Sequence, residues 1–373
     1  MTGEIDVINL VEFFKIYILN RDGMDTKFSD LIQNAFSYFV SGVNKTFGCI
    51  EENISAHYDL GNDMFKLFLD RTMTYSSGIW KTPDDTLEKS QINKFEDIIK
   101  FLQIQKNDKV LEIGCGWGFL AIYISKKTGC SFTGLTLSRE QKKMAEQNIK
   151  KENLQHKIKI KLCNYIDLDT EPHYYDKIIS VEMVEHVGHN NLPMYFKKCD
   201  SMLNSRHGSM YLQASTMRED FYEKYKYSND FIKEYIFPGG HCPVVSSLVE
   251  AAYIGTSGKL ILDRMDNLPS NYVLTLKSWR KSFVENYHKI AGTAPKNPGL
   301  IQDVIKISNN DEKSFVEKQT NSQVVYNEQF KRKWEYYFAY CEAGFDTRTL
   351  CLSRMVFTRS CNNKIVENPN YYL

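Results

Sequence analysis

Short hydrophobic runs alternate with amphipathic segments between about residues 108 and 213. Runs suited to buried strands occur at KVLEIG, SFTGLTLS, KIKIKLC, YDKIISVEM and GSMYLQAS, and the helical patterns WGFLAIYISKK and REQKKMAEQNIKKEN separate the first three. Strands that alternate with helices in this way predict a parallel sheet with helices packed on it. Ser138 precedes the second helical pattern as a predicted N-cap, with Gln141 as its capping-box partner.

The regular alternation stops near residue 216. Residues 216–257 are aromatic and irregular, contain FPGGHCP, and are predicted to form a cap over the edge of the sheet. Strand patterns return at KLILDRM and TLCLSRMVFTRS, which completes a predicted seven-stranded sheet. NYVLTLKSWRKSFVENYHKI and FKRKWEYYFAYCEAGF are amphipathic helices, in which Trp279 and Trp334 occupy predicted core positions. Residues 291–322 are polar and are predicted to be a flexible insertion.

Composition narrows the class of protein without identifying a function. The 373 residues include 47 Lys and Arg against 46 Asp and Glu, and a net charge of +1 gives no basic field for nucleic acid. Nine cysteines are spread singly, without a CxxC pair, which favours free thiols in a reducing compartment. The acidic start MTGEIDVINL lacks the basic residues of a signal peptide, so we expect a cytoplasmic protein.

The segment VLEIGCGWG places Gly114, Gly116 and Gly118 between a predicted strand and a predicted helix. Glycine lets the backbone turn sharply and come close to a ligand, which favours a nucleoside-binding loop. The spacing differs from the G-x-G-x-x-G fingerprint of dinucleotide-binding proteins. Glu112, just before the loop, is an acidic residue at a position typical of class I methyltransferases.

The second predicted strand ends in GLTLSREQ, without the carboxylate that commonly holds the ribose hydroxyls of a nucleoside. Thr136 and Gln141 carry hydroxyl and amide groups that are expected to take over this role. The predicted nucleoside site therefore uses neutral hydrogen-bonding groups where an acidic residue is usual.

The segment VEMVEHVGHN lies at the end of the fourth predicted strand. It contains two carboxylates and two histidines within eight residues, namely Glu182, Glu185, His186 and His189. Ligands of open α/β sheets bind at the carboxyl ends of the strands, so these side chains are candidates for chemistry. A metal site of the H-E-x-x-H kind needs its histidines on one helical face, and this segment has another order. We therefore reject a metal site here.

Seven ordered blocks resemble the cyclopropane-fatty-acyl-phospholipid synthase family, whose members use S-adenosylmethionine to modify unsaturated acyl chains. The blocks are HYDLGNDMFKLFLDRTMTYSSGIW, VLEIGCGWG, GLTLSREQKKMAE, VEMVEHVG, YIFPGG, NYVLTLKSW and KRKWEYYFAYCEAGF with VFTRS. They run from about residue 53 to residue 360, and two of them are most similar to the branch found in plants and other eukaryotes. The resemblance implies an α/β fold of the class I methyltransferase (Rossmann-like) type, with a seven-stranded mixed sheet and helices on both faces.

The resemblance also implies which residues bind the cofactor and the lipid. S-adenosylmethionine would contact residues before the sheet, in the glycine loop and after strands two and three: Tyr75, Ser76, Glu112, Gly114, Cys115, Gly116, Trp117, Gly118, Thr136, Leu137, Gln141, Cys163 and Asn164. The acyl chain would contact His57, Tyr58, Phe237, Gly239 and Gly240. The simpler alternatives are a helix start in HYDLGND, with Asn62 or Asp63 as N-cap, and a surface turn at FPGG.

By the same resemblance, Glu185 and Tyr272 would hold a bicarbonate ion, and this anion would act as the base. Ser77 and Gln213 stand where well-studied bacterial members have cysteine and histidine, and both can still donate hydrogen bonds to an anion. His186 joins this group as a candidate catalytic residue, with a purely structural role as the alternative. Outside it, Glu182 and His189 are expected to be solvated or to cap a helix.

The implied reaction is transfer of a methylene group from S-adenosylmethionine to the cis double bond of a phospholipid acyl chain. Methyl transfer would leave a carbocation, which aromatic rings would stabilise, and bicarbonate would accept a proton as the cyclopropane ring closes. The related alternatives are C-methylation of an acyl chain or a sphingolipid and N-methylation of a small amine. A lipid-binding protein that has lost catalysis is a further alternative, motivated by Ser77 and Gln213.

Two regions are predicted along the chain. Residues 1–90 would form a helical region that covers the active site and contacts a membrane, and residues 91–373 would form the catalytic domain. The expected partners are unsaturated phospholipid chains at a membrane surface, where a cytoplasmic protein would be peripheral. No nucleic-acid partner is expected, and a homodimer is one candidate assembly, suggested by the family.

Overall fold

Seven strands form one sheet in a computed structural model that describes residues 7–24, 61–228, 230–294 and 325–362. The strands are β1 Lys109–Ile113, β2 Ser131–Thr136, β3 Ile158–Leu162, β4 Lys177–Val181, β5 Ser209–Met217, β6 Leu260–Asn267 and β7 Leu350–Arg359. Their order across the sheet is β3-β2-β1-β4-β5-β7-β6. All seven lie where the hydrophobic runs predicted strands.

Eleven α-helices in the described residues pack on this sheet or extend from it. They are α1 Leu10–Met24, α2 Asn62–Phe65, α3 Leu87–Leu102, α4 Phe119–Thr128, α5 Arg139–Lys151, α6 Leu192–Met202, α7 Glu219–Tyr225, α8 Phe231–Tyr235, α9 Val245–Thr256, α10 Pro269–Asn286 and α11 Glu328–Asp346. The four amphipathic patterns of the sequence correspond to α4, α5, α10 and α11.

Strands β1 to β5 pair in parallel, whereas β7 runs antiparallel to both β5 and β6. The expected seven-stranded mixed sheet is therefore confirmed. Strand order reverses beside β1, which pairs with β2 on one side and β4 on the other. A crevice opens at such a point outside the carboxyl ends of the strands. The register of edge strand β6 shifts between Leu262 and Arg264.

Hydrophobic side chains cover both faces of the sheet, and a separate aromatic cluster lies beside it. The aromatic cluster contains Phe65, Phe68, Tyr272, Trp279, Phe283, Trp334, Tyr337 and Phe338, all of them buried. Trp279 and Trp334 are 0% and 1% exposed, which confirms the prediction that they belong to the core. The cluster joins α10 and α11 to the segment around α2, next to the crevice.

The start of α5 follows the capping prediction in part. The Ser138 hydroxyl oxygen accepts a hydrogen bond from the Gln141 backbone N–H at 3.2 Å, so the predicted N-cap is confirmed. The reciprocal capping-box bond is not formed. The Ser138 N–H instead donates to the Thr136 hydroxyl at 3.1 Å. At α2, Gly61 is the N-cap and no side chain caps the helix, so the N-cap prediction for Asn62 or Asp63 was wrong.

The region predicted to cap the sheet is more regular than expected. Strand β5 continues to Met217, and three helices, α7 to α9, follow it. Helix α9 packs against α6 and places Leu248 and Ala251 in the core on one face of the sheet. The segment before α9 contains Phe237, whose ring lies beside those of Tyr75 and His186.

Helix α1 packs against α11 through Val11 and Phe14, which are buried together with Ala339 and Ala343. The other side of α1 exposes large apolar side chains, among them Phe13, Ile16, Tyr17 and Leu19. Within the described ranges, every helix is too short or too polar to cross a bilayer. Most of the polar insertion at 291–322 falls outside the described residues.

Candidate active site

A cavity of about 270 Å³ lies at the carboxyl ends of β1, β2 and β4. Its size is close to the lower end of the roughly 300–1,000 Å³ range of small-molecule sites. All thirteen predicted cofactor residues line it: Tyr75, Ser76, Glu112, Gly114, Cys115, Gly116, Trp117, Gly118, Thr136, Leu137, Gln141, Cys163 and Asn164. The fold therefore gathers residues from several elements into one crevice.

The glycine loop has the backbone conformation that its sequence predicts. Gly116 has a φ of 51° and Gly118 a φ of 81°, in the left-handed region that favours glycine. A Cβ on Gly118 would lie 2.8 Å from Cβ of Ala145 in α5, so only glycine allows this close approach. A Cβ on Gly116 would meet no protein atom within 4 Å. Gly116 therefore leaves open space for a ligand.

Glu112, the last residue but one of β1, is a buried carboxyl group beside the cavity. Burial raises the pKa of Glu112 to about 8, although the Lys94 charge acts to lower it. Its Oε2 atom is buried and has no hydrogen-bond partner within the protein. Because an unpaired buried acceptor is costly, this oxygen fits a ligand that brings hydrogen-bond donors.

The end of β2 carries the neutral groups predicted to replace a ribose-binding carboxylate. The Thr136 hydroxyl donates to Gln141 Oε1 at 2.7 Å and so fixes the orientation of the Gln141 amide. Cys163 follows β3, and its backbone N–H donates to Thr136 O at 3.1 Å. These contacts place the end of β3, with Asn164, beside the end of β2 at the cavity wall.

Glu182 is the polar centre of the site, which corrects the expectation that it is solvated or caps a helix. Its Oε1 accepts from the Ser77 N–H and from Gln213 Nε2, both at 2.9 Å. Its Oε2 accepts from the Tyr272 hydroxyl at 2.6 Å. Glu182 is half-buried, lines the cavity and has a φ of 50°.

Glu185 occupies a different environment from the one predicted. Its Oε1 accepts from the Ser215 N–H at 2.6 Å, and its buried Oε2 has no partner. Burial, and then the Glu182 charge, raise the pKa of Glu185 to about 8. Tyr272 donates to Glu182 instead, and the joint role of Glu185 and Tyr272 around one anion stays a prediction.

The two histidines of this segment differ in environment. His186 lines the cavity, and burial lowers its pKa to about 4, so the ring is neutral near pH 7. Its ring centroid lies 5.7 Å from that of Phe237. His189 is exposed, as expected, and its Nδ1 is hydrogen-bonded to the Tyr222 hydroxyl at 2.5 Å. His186 therefore belongs to the cavity and His189 to the protein surface.

Lys94 was missed by sequence reasoning. It is 1% exposed in α3, and its Nζ donates to Ser76 Oγ at 2.6 Å and to Ser77 O at 3.0 Å. Burial lowers the pKa of Lys94 to about 8, against the opposing charges of Glu182, Asp70 and Glu112. This lysine supports the segment that presents the Ser77 N–H to Glu182.

The predicted lipid-binding residues divide into three cases. Phe237 lies among aromatic rings, with centroid distances of 6.4 Å to Tyr75 and 6.1 Å to Tyr337. Gly239 is exposed, and the Gly240 N–H donates to Phe237 O at 2.8 Å, so this pair forms a turn that holds Phe237. His57 and Tyr58 lie outside the described residues.

Comparison with known proteins places this geometry in a family. Residues 49–298 match the family described as mycolic acid cyclopropane synthetase. The tuberculostearic acid methyltransferase UfaA1 of Mycobacterium tuberculosis is 33% identical over 79% of this chain and 61% of its own length. The cyclopropane-fatty-acyl-phospholipid synthase of Escherichia coli K12 is 31% identical over 82% of this chain and 68% of its own length.

A solved structure shares the fold. The mycolic acid cyclopropane synthase CmaA1 complexed with SAH and CTAB superposes with a TM-score of 0.67 at 24% identity, covering 84% of this chain and 99% of that one. The chain spans less than two thirds of the length of the UfaA1 relative. Its fold is that of class I methyltransferases. The family match over residues 49–298 shows that the chain belongs to the mycolic acid cyclopropane synthetase family.

Proposed function

We propose that the protein transfers a one-carbon group from S-adenosylmethionine to the cis double bond of an unsaturated phospholipid acyl chain and closes a cyclopropane ring. One observation carries this proposal: a single cavity is lined by both the glycine loop and Glu182. Family membership supports the proposal, because the E. coli relative is named a cyclopropane-fatty-acyl-phospholipid synthase.

The cavity residues fit the proposed cofactor. Gly116 leaves room for a ligand against the loop backbone, and the unpaired Glu112 oxygen would accept a hydrogen bond from it. Gln141, oriented by Thr136, would donate to the ribose. When bound, S-adenosylmethionine supplies an electrophilic methyl group. The protein has to hold that group close to the double bond and keep water out.

Aromatic side chains suit a reaction that passes through a carbocation on the lipid. The Tyr75 ring lies 5.2 Å from that of Trp279, and its hydroxyl is 3.0 Å from that of Tyr337. Ring faces attract a cation without forming a bond to it. The neutral His186 adds no positive charge that would repel the cation. Of these rings Tyr75 lines the cavity, where it would stabilise the cation and displace the water that would trap it.

The membrane surface is the proposed source of the lipid. The outward side of α1 carries apolar side chains that are 51% to 71% exposed, namely Phe13, Ile16, Tyr17 and Leu19. Contiguous exposed apolar groups on a helix are suited to burial at a lipid interface. Phe13→Asp is expected to reduce co-flotation with phosphatidylcholine vesicles, whereas Glu12→Gln on the same helix should not.

The direct test uses purified protein, S-adenosylmethionine and two vesicle preparations. One contains cis-unsaturated phospholipid, and the matched control contains its saturated counterpart. We expect adenosylhomocysteine release only with the unsaturated lipid, which gains the mass of one CH₂ group and shows cyclopropane protons by NMR. Adenosylhomocysteine formation with amines but not lipids would favour N-methylation. No release with any acceptor would favour a lipid-binding protein without catalysis.

C-methylation without ring closure is the second candidate. The relative named tuberculostearic acid methyltransferase favours it, because it belongs to the same set of similar sequences. Both reactions begin with methyl transfer to the double bond and differ in how the cation is resolved. The NMR spectrum of the product distinguishes a ring from a methyl or methylene branch.

A further inference from the structure

The residues expected to hold bicarbonate form hydrogen bonds with other groups of the protein instead. Ser77, Gln213 and Tyr272 all donate to the Glu182 carboxylate. Glu185 instead accepts from a backbone N–H of β5. Glu182 lines the cavity, whereas none of the other four residues does. The residues present therefore do not fit a bicarbonate ion, because a carboxylate of the protein already occupies the donors.

We propose that Glu182 replaces bicarbonate as a built-in base. Its carboxylate would accept the proton that the transferred carbon loses as the ring closes. This inference rests on the proposed transfer to a lipid double bond and names the residue that completes it. The protein would then need no dissolved anion for turnover.

The backbone at Glu182 is held in an unfavourable conformation. Its φ of 50° lies in the left-handed region that side chains other than glycine rarely adopt. Its N–H donates to Gln213 O at 2.7 Å, which fixes the peptide at the end of β4. Such conformations persist where surrounding structure enforces them, and they concentrate at functional sites. Here the strained residue is one that lines the cavity.

Three hydrogen bonds resolve a chemical difficulty of this arrangement. A bare carboxylate beside a carbocation would add to it and form an ester. The Ser77 and Gln213 donors share one carboxylate oxygen and Tyr272 binds the other, which lowers the nucleophilicity of both. A C–H next to a carbocation is so acidic that a weak base suffices.

The step balances without any further reactant. The π electrons of the alkene form a C–C bond to the incoming methyl group, whose former bonding electrons remain on the donor sulfur. The second alkene carbon becomes cationic. Glu182 then takes one proton from the transferred methyl group, and that C–H electron pair forms the bond that closes the ring. The proton passes from Glu182 to solvent before the next turnover.

The first test is the bicarbonate dependence of the wild-type protein. Methyl transfer to unsaturated vesicles is measured in buffers stripped of carbon dioxide and again after bicarbonate is added. We expect the two rates to agree within about twofold, because the base belongs to the protein. A wild-type rate that collapses on stripping and returns with bicarbonate would overturn the inference.

A matched pair of variants tests the position of the base. Glu182→Gln and Glu182→Gly both remove it, and ring formation should fall by roughly 10²- to 10⁴-fold. Glycine relieves the positive φ and leaves space, so added bicarbonate should recover activity by about tenfold or more in Glu182→Gly. Glutamine fills the space, so Glu182→Gln should not recover. A Glu182→Gln rate near wild type, or a folded Glu182→Gly protein that bicarbonate does not rescue, would contradict the proposal.

Anion binding provides a readout that does not depend on turnover. NMR line broadening of isotope-labelled bicarbonate is expected with Glu182→Gly and not with the wild-type protein. Equal broadening by both proteins would overturn the inference even if no lipid were ever converted. If no lipid reacted but bicarbonate still bound only to Glu182→Gly, the proposed lipid reaction would be contradicted and the inference about the anion site would not.

Discussion

Tyr272 in α10 donates a hydrogen bond of 2.6 Å to Glu182, a residue 90 positions earlier at the end of β4. Burial, and then the Glu182 charge, raise the pKa of Tyr272, so its phenol remains the proton donor. Tyr272 does not itself line the cavity. We therefore expect it to act by holding Glu182 in place.

Replacing this phenol should lower turnover without weakening cofactor binding. Hydrogen bonds to charged groups contribute about 1.5–3 kcal/mol, so Tyr272→Phe should reduce kcat roughly 10- to 100-fold. The Kd of adenosylhomocysteine, measured by calorimetry, should be unchanged. Tyr253→Phe, at an exposed tyrosine of α9, is the matched control and should retain wild-type kcat. Equal losses in kcat and cofactor affinity would show that Tyr272 supports the whole cavity.

Removing the buried charge of Lys94 should destabilise the protein strongly. Lys94 donates to Ser76 and Ser77 and faces Glu182 and Glu112, which would lose their compensating charge. Breaking a buried charge arrangement costs about 3–5 kcal/mol, which urea unfolding of Lys94→Met would measure.

The same helix offers a control for Lys94. Lys89 is exposed, and Lys89→Met should change the free energy of unfolding by no more than about 0.5 kcal/mol. Similar small effects from both variants would mean that the Lys94 charge is not needed for stability.

Glu185 should make the protein less stable as pH rises. Its pKa is about 8 in the folded state against an ordinary value of 4.5, so the folded state binds the proton more tightly than the unfolded state. The free energy of unfolding should therefore fall between pH 4.5 and about 8. In Glu185→Gln this fall should be less steep, as chemical denaturation at several pH values would show. Glu250→Gln, at an exposed glutamate, should keep the wild-type slope.

Two alanine substitutions in the glycine loop should fail in different ways. Gly118→Ala brings a Cβ to 2.8 Å from Ala145, so its melting temperature should fall. Gly116→Ala meets no protein atom within 4 Å, so its larger defect should be in adenosylhomocysteine binding. Both carry the cost of a positive φ, roughly 1–2 kcal/mol. Equal loss of stability in the two variants, with binding retained, would place the cofactor elsewhere.

The sheet and the cofactor crevice could be predicted from the sequence because their signals are local. Each strand is a short apolar run, and the glycine loop lies between a strand and a helix, so both can be located without long-range contacts. Lys94 carried a weaker signal. It shares a helical face with Ile98 and Phe101, but a lysine in a charged helix is more often solvated.

The different hydrogen-bonding environments of Glu182 and Glu185 could not be predicted from the sequence. The two residues lie three positions apart after the same strand, and either could point to the cavity. The environment of Glu182 depends on its backbone φ angle and on hydrogen-bond donors from Ser77, Gln213 and Tyr272, which are distant in the sequence. No local pattern records those contacts.

The two edges of the sheet have a consequence for self-association. At one edge, β3 carries Lys159, which is exposed, and at the other, β6 is interrupted by the irregularity between Leu262 and Arg264. Edge lysines and bulges are features that block the addition of a foreign strand. Both edges thus disfavour growth of the sheet from one molecule into the next. Two copies that associate would then meet through surfaces other than these strand edges.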